Sequence, residues 1–310
     1  MEGFGDRLAG AVREKGNPVC IGLDPRFDLL PSPLRQLALR THGPSARAVA
    51  TAFLEFNRAI LDAVADFVPV CKPQVAFYEE YGAEGIGAFE KTIRYAQKKG
   101  LLVISDAKRG DIGSTAEAYA QAHIGGGGDI AGHAFDADAV TVNPYLGRDS
   151  IEPFLRVAAD RGRGVLILVH TSNPGACDLQ DLDAGGRPLY ERVAEMVDEL
   201  RGPIGASGLS NVGAVVGATY PDQARRLRRL MPSAPFLMPG YGEQGARAAD
   251  AIAGFREDGS GAVVGSSRAV IFAYREEPYT RRHGEAGFAA AAREAAQRMV
   301  EELNGALKRR

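Results

Sequence analysis

Cysteine is scarce in this chain and poorly placed for cross-linking. Cys20, Cys71 and Cys177 are odd in number, and none belongs to a C-x-x-C pair. No disulfide framework is expected, and Cys20 and Cys71 lie in apolar runs where a small buried residue suffices. Net charge is nearly absent too. The 37 lysines and arginines against 39 aspartates and glutamates leave a formal −2, so nothing draws the whole surface to nucleic acid or membrane. An anionic ligand has to be held by a local site. Long hydrophobic runs are missing as well. None approaches the length of a bilayer span, and the opening MEGFGDRLAGAVREKG lacks an apolar signal core. A reduced, cytoplasmic, soluble protein is the expectation. No low-complexity tract or domain linker stands out, so residues 1–310 are expected to form one domain.

What the chain does have, at 45% hydrophobic and 25% charged, is material for a sizeable core, arranged as a repeat. Short apolar runs fall at 18–24 (PVCIGLD), 67–73 (FVPVCKP), 101–108 (LLVISDAK) and 138–144 (DAVTVNP). Four more follow at 164–172 (GVLILVHTS), 211–219 (NVGAVVGAT), 234–240 (APFLMPG) and 261–267 (GAVVGSS). Several are rich in valine and isoleucine without polar alternation, as strands covered on both faces must be. Helical spacing fills the intervals. Val49, Phe53, Phe56, Ile60, Val64 and Phe67 step by threes and fours into one apolar stripe, and YERVAEMVDEL and PDQARRLRRLM repeat the pattern. Eight strand–helix units predict a (β/α)8 TIM barrel, with an open doubly wound sheet as the competing architecture.

Three stretches fall outside the repeat. Residues 26–45, with three prolines, are an insertion after the first strand. GGGGDI (125–130) follows a helix and not a strand, which suits a flexible connection better than a phosphate loop. From Gly284 onward, Phe288, Ala292, Met299, Leu303 and Leu307 keep helical spacing, predicting an extra C-terminal helix on the barrel exterior.

In such a barrel the C-terminal strand ends form one rim, and active sites lie there. Asp24 ends the first run, Lys72 the second, Asp106 and Lys108 the third, Asn143 the fourth, and Ser172 and Asn173 the fifth. Asp106 and Lys108 are two apart, so along a regular strand both side chains face the same way. Asp111 follows, where the chain turns through Gly110 toward a helix carrying Thr115 and Tyr119. Alone, Asp111 reads equally as the cap of that helix, with the other charges as a solvated edge. Asp24 and Lys72 shift the balance, because each is an isolated charge ending an apolar strand of the same barrel.

The seventh and eighth runs lead into PGYGEQG and GSSRA. Barrels commonly bind phosphate on the loops after these strands. Gly240, Gly242, Gln244, Gly245, Gly265, Ser266, Ser267 and Arg268 are the candidates. Glycines let backbone close on an anion, and an arginine pairs with it bidentately. The plainer reading is that the glycines only make tight turns.

The segment DAKRGDIGST resembles the signature of the orotidine 5′-phosphate decarboxylase family, in which Asp-x-Lys-x-x-Asp carries the chemistry. IGLDP, CKPQVAFYE, TVNPYLG, HTSNPG, MPGYGEQG and VVGSSRA extend the likeness in order, with the spacing of the longer, bacterial branch. The resemblance implies release of CO2 from orotidine 5′-phosphate to give UMP, with no metal and no organic cofactor. It implies that Asp24 and Lys72 hold the ribose hydroxyls and order the charges. On the same likeness, Asp106 should lie near the substrate carboxylate, and Lys108 should protonate C6. Ser172 should bond the pyrimidine, Gln244 bridge base and phosphate, and Arg268 bind phosphate, with Gly265 and Ser267 beside it. Asp111 and Thr115 should cross into the other subunit's site in a homodimer.

Two alternatives stand beside this. One is a Mg2+-dependent sugar-phosphate enzyme on the same barrel, whose relatives place an acidic metal ligand at the end of the second strand, where this chain has Lys72. The other is a nucleotide-phosphate sensor without catalysis, although every charge of the proposed relay is present.

Overall fold

The computed structural model describes residues 2–126, 135–242 and 245–309. Eight parallel strands close into a barrel in sequence order. They are β1 (Val19–Leu23), β2 (Val70–Pro73), β3 (Leu102–Arg109), β4 (Ala139–Val142), β5 (Gly164–His170), β6 (Val212–Val216), β7 (Phe236–Met238) and β8 (Ala262–Ser266). Each apolar run in the sequence is one of them. β8 pairs with β1, setting Cys20 opposite Gly265, and that closure rules out the open sheet. Most strands are shorter than the runs, and in all but β2 and β3 the last residues of the run leave the sheet.

Period-two alternation decides which residues face inward. Cys20, Val70, Ile104, Ala139, Leu166, Val215, Leu237 and Val263, one from each strand, form the interior cluster. Their neighbours Val19, Cys71, Val103 and Val140 belong to the outer core under the helices. The helix Phe4–Lys15 plugs the N-terminal mouth, with Phe4 and Leu8 packed into the interior cluster. A Cβ at Gly164 would lie 2.3 Å from the Phe4 ring, so glycine is what lets the plug seat. Two residues beyond this apolar layer, on the first four strands, stand Gly22, Lys72, Asp106 and Thr141. The barrel therefore changes from apolar to polar in a single step of the pleat.

The helix Ala46–Val64 buries the predicted stripe of Val49, Phe53, Phe56, Ile60 and Val64, and Ser45 caps it by accepting from the Ala48 N–H. The insertion at 26–45 folds as a 3-10 turn, Phe27–Leu29, and a helix, Ser32–His42. The tail is the helix Phe288–Lys308, outside the barrel, with Phe288 stacked on Phe56 at 5.2 Å. These two segments outside the repeat also meet each other's surroundings. The Tyr274 hydroxyl donates to the Leu29 carbonyl, and the Ser32 N–H donates to Glu285 at 3.1 Å. Cys20 and Cys71 are buried, and burial pushes the Cys20 thiol up to about 12, whereas Cys177 is exposed. Of the GGGGDI connection, Gly125 and Gly126 end the helix Gly113–Ile124, and 127–130 lie outside the described residues.

Candidate active site

Asp106 is the centre of the rim. Its Oδ2 accepts from Lys72 Nζ at 2.5 Å and from Gln74 Nε2 at 3.0 Å. Its Oδ1 accepts from Lys108 Nζ at 2.6 Å and from the Thr141 hydroxyl at 2.9 Å. A carboxylate offers about four lone-pair positions, and here four donors from β2, β3, β4 and the turn after β2 occupy them. Burial alone would raise this carboxyl's pKa. The Lys72 charge, and then that of Lys108, overcome burial and hold it well below the usual carboxylate range. Lys72 is its counterpart. Burial disfavours its ammonium, yet the charges of Asp106 and Asp24 keep it protonated, with its pKa above the ordinary lysine value. Asp24 Oδ1 is buried without a hydrogen-bond partner and borders the same cavity as Lys72, a position that suits a ligand hydroxyl.

Lys108 reaches Asp106, but not by strand alternation. Its φ is +49°, the left-handed region, and the β3–β4 register shifts between Ser105 and Arg109. The pleat that predicts a shared face is broken between the two residues, and the ion pair forms around the break. The Lys108 side chain is 43% exposed, so of its three N–H donors some remain available toward the opening. Arg109, the other cation of the motif, turns away to pair with Glu79 and lie over the Tyr119 ring at 5.5 Å. It belongs to the fold and not to the relay.

Asp111 is half-buried, and its Oδ1 accepts from the Ile112 N–H at 2.8 Å. The N-cap of the helix Gly113–Ile124 is Ile112, without a side-chain cap bond, so the helix-cap reading of Asp111 fails. Among the described residues Asp111 makes no ion pair. Thr115 is exposed one turn on, and Ile112, Tyr145 and Leu146 are large apolar side chains exposed on the loops after β3 and β4.

The β1–β8 seam forms the second part of the rim. Ser267 lies so close to Gly22 that a Cβ there would stand 2.5 Å from the Ser267 Cβ, and the Ser267 hydroxyl donates to the Gly22 carbonyl at 3.3 Å. Gly22, Asp24, Lys72, Gly240, Gly265, Ser267 and Arg268 border one cavity. Gly240, Gly242 and Gly245 all have positive φ, so the β7 loop needs glycine for its turns as well as for any ligand. Gln244 lies outside the described residues.

Ser172 follows β5, where its carbonyl accepts from the Thr219 hydroxyl at 3.2 Å. A Cβ on Gly217 would come within 2.8 Å of the Ser172 backbone, so that glycine in GAVVGAT admits the loop carrying Ser172. Gln180 holds the same loop by accepting from the Thr171 N–H and donating to the Thr171 hydroxyl, both at 2.8 Å. Asn143 accepts from the Tyr145 N–H, and Asn173 from the Thr171 hydroxyl, so both order loops. Sequence reasoning missed Gln74 and Thr141. Each stands two residues after a residue that faces inward, and period-two counting from Lys72 and Ala139 finds them.

A closed barrel whose rim joins a buried lysine–aspartate relay to a glycine-lined cavity at β7 and β8 defines a (β/α)8-barrel enzyme. The comparisons with known proteins carry the identification further. A profile of the "Orotidine 5'-phosphate decarboxylase / HUMPS family" matches residues 17–277. A protein of Rhodopirellula baltica named orotidine 5′-phosphate decarboxylase is 45% identical over 98% of this chain and 100% of its own. One of the same name from Clostridium novyi is 39% identical over 96% and 97%. The solved structure of Leishmania donovani OMP decarboxylase superposes with a TM-score of 0.73 at 34% identity, covering 99% of each chain. The chain belongs to the orotidine 5′-phosphate decarboxylase family.

Proposed function

We propose that the chain, acting as one barrel domain, converts orotidine 5′-phosphate to UMP and CO2, with Lys108 as the proton donor. The observation that supports this most directly is the Asp106 carboxylate held between two lysine ammoniums. Decarboxylation breaks the bond between C6 and the carboxylate carbon and leaves its electron pair on C6, where the ring offers no sink. A fixed ammonium stabilises that pair electrostatically as it develops and then delivers the proton that closes the balance. No oxidant or reductant is needed. Asp106, already ionised, repels a substrate carboxylate set beside it, and departure of CO2 relieves the contact. Asp24 and Lys72 take the ribose hydroxyls, Ser172 the pyrimidine, Gln244 bridges base and phosphate, and Gly265, Ser267 and Arg268 take the phosphate. Phosphate binding far from C6 supplies energy to align the ring.

The donor set argues against the sugar-phosphate alternative. A dication at this strand end would have to displace Lys72 from Asp106, and a cation beside a dication site is unfavourable. We place the working protein in the cytoplasm, and no described helix is long and apolar enough to cross a membrane. The unit is a homodimer in which Asp111 and Thr115 complete the neighbour's site. Support comes from Asp111, which makes no ion pair among the described residues, and from exposed Ile112, Tyr145 and Leu146 on the loops after β3 and β4. Purified protein incubated with carboxyl-labelled orotidine 5′-phosphate should release label as CO2 and leave UMP. Binding of UMP without any release would leave the sensor reading in its place.

A further inference from the structure

Thr141 sits in the middle of the relay yet fits none of the roles above. It is fully buried on β4, within a strand otherwise made of alanine and valine. Its hydroxyl accepts from the Ala107 N–H at 3.0 Å and from the Lys108 N–H at 2.9 Å. The same oxygen lies 2.9 Å from Asp106 Oδ1. A hydroxyl has one proton and two lone pairs. Backbone N–H groups can only donate, so both lone pairs are committed to them and the proton must go to Asp106. The direction of the bond is thus settled by counting, and Asp106 receives it as an acceptor.

Both N–H groups belong to the stretch where β3 departs from regular pairing. Lys108 has φ +49°, a conformation disfavoured for a residue with a Cβ, and the β3–β4 register shifts across it. Residues held in such regions persist where their surroundings over-determine them. Here those surroundings include one oxygen that accepts from both N–H groups. Thr141 stands in for the β4 ladder acceptor that the irregular segment lost, and the same atom fixes the carboxylate to which Lys108 is paired.

We infer that Thr141 is a positioning residue for the decarboxylation: its hydroxyl holds the left-handed backbone at Lys108 and orients Asp106, so that the Lys108 ammonium is in place before substrate arrives. This rests on the assignment of Lys108 as proton donor. It does not make Thr141 a group that touches substrate.

The experiment compares Thr141→Val, which keeps the shape and removes the hydroxyl, with Thr141→Ser, which keeps the hydroxyl and removes the methyl. For each variant kcat, KM, UMP affinity and thermal unfolding are measured, with Lys108→Ala run alongside. Displacing a reacting group by about 1 Å costs on the order of 100-fold. Thr141→Val is therefore expected to lose about that factor in kcat, with KM and UMP affinity changing little, and Thr141→Ser to recover most of it. A wild-type kcat in Thr141→Val while Lys108→Ala is inactive overturns this inference alone. Wild-type kcat in Lys108→Ala overturns the lysine assignment first. A loss in the serine variant as large as that in the valine variant would show that keeping the hydroxyl does not preserve turnover, which also overturns the inference. If the valine variant fails to fold, Thr141→Cys, with a weaker donor and acceptor of similar size, takes its place. A kcat between those of wild type and Lys108→Ala then supports the inference, and an unchanged kcat overturns it.

Discussion

Asp106, at the end of β3, has its acceptor positions filled by Lys72, Gln74, Lys108 and Thr141 before any substrate is present. Ser267 and Arg268, after β8, instead border an open cavity together with the loop after β7, which turns at Gly240, Gly242 and Gly245. The first region is made of side chains locked by one another, most of them on strands, and the second of glycine-rich loops that border a cavity. Groups that must not move while charge develops are placed on the sheet, and groups that must adapt to a bound anion are placed on loops. Loss of a residue should accordingly affect turnover in the first region and affinity in the second.

The strongest break of this contrast is Lys108→Ala. Its kcat should fall by upward of roughly 1,000-fold, the scale of a lost proton donor combined with lost charge stabilisation, while UMP still binds. Wild-type turnover would remove Lys108 from the chemistry. The same variant tests sharing between subunits. Mixed with inactive Asp111→Ala under conditions of subunit exchange, it forms heterodimers in which one site carries both lesions and the other carries none. Random pairing makes about a quarter of all sites intact, so activity should return to about that fraction. Verified exchange without recovery would give each subunit its own Asp111.

Asp106→Asn comes next, and it reads out as stability. The change removes the carboxylate that Lys72 pairs with in the interior, leaving only the nearby Asp24 charge, and breaking a buried pair from one side costs about 3–5 kcal/mol. Urea unfolding measures it. The pH dependence has a definite sign. The Asp106 pKa is depressed on folding below the ordinary 3.8, so the folded state binds fewer protons there than the unfolded chain. The stabilisation is complete above the unfolded value and is lost as pH falls through the lower folded value. Wild type should therefore lose its advantage over Asp106→Asn only in strong acid. A gap that closes between pH 7 and pH 5 would mean that Asp106 is not held as described.

Much of this architecture was legible in the sequence, and the reasons differ by residue. The eight strands are readable because parallel strands buried on both faces leave uninterrupted apolar runs, and Asp24, Lys72 and Asp106 because a charge ending such a run is conspicuous. The contact of Lys108 with Asp106 was anticipated from alternation, but it arises through a positive φ that no residue type announces. A non-glycine in the left-handed region is set by tertiary bonds, here from Thr141. Thr141 itself was hidden because threonine inside AVTV looks like another β-branched strand former. Gln74, inside CKPQVAFYE, is found by strand parity counted from Lys72. Asp111 was left between two roles, and only the helix start at Gly113, with Ile112 as its cap, separates them.

Arg268→Ala tests the loop region. It should weaken UMP binding by roughly 10- to 100-fold, the range of one hydrogen bond to a charged group, and leave uridine binding nearly unchanged. Equal losses for the two ligands would move the phosphate elsewhere on the rim.

The smallest expected effect is the one from chelation. Turnover of orotidine 5′-phosphate should be the same in EDTA as in Mg2+. Mg2+ requires oxygen ligands in near-octahedral geometry and usually reaches proteins through one or two carboxylates. Asp106, the buried carboxylate at the centre of the rim, has its four acceptor positions filled by protein donors, two of them cationic. Admitting the metal there would mean expelling Lys72, whose pKa is held above its ordinary value by Asp106 and Asp24 together. Asp24, the carboxylate lining the cavity among the described residues, lies beside that same lysine. Each step toward a metal site thus dismantles the arrangement proposed to protonate C6. Activity abolished by EDTA and restored by Mg2+ would show that the lysine–aspartate relay is not the machinery of turnover, and would reverse the division of labour between the two regions of the rim.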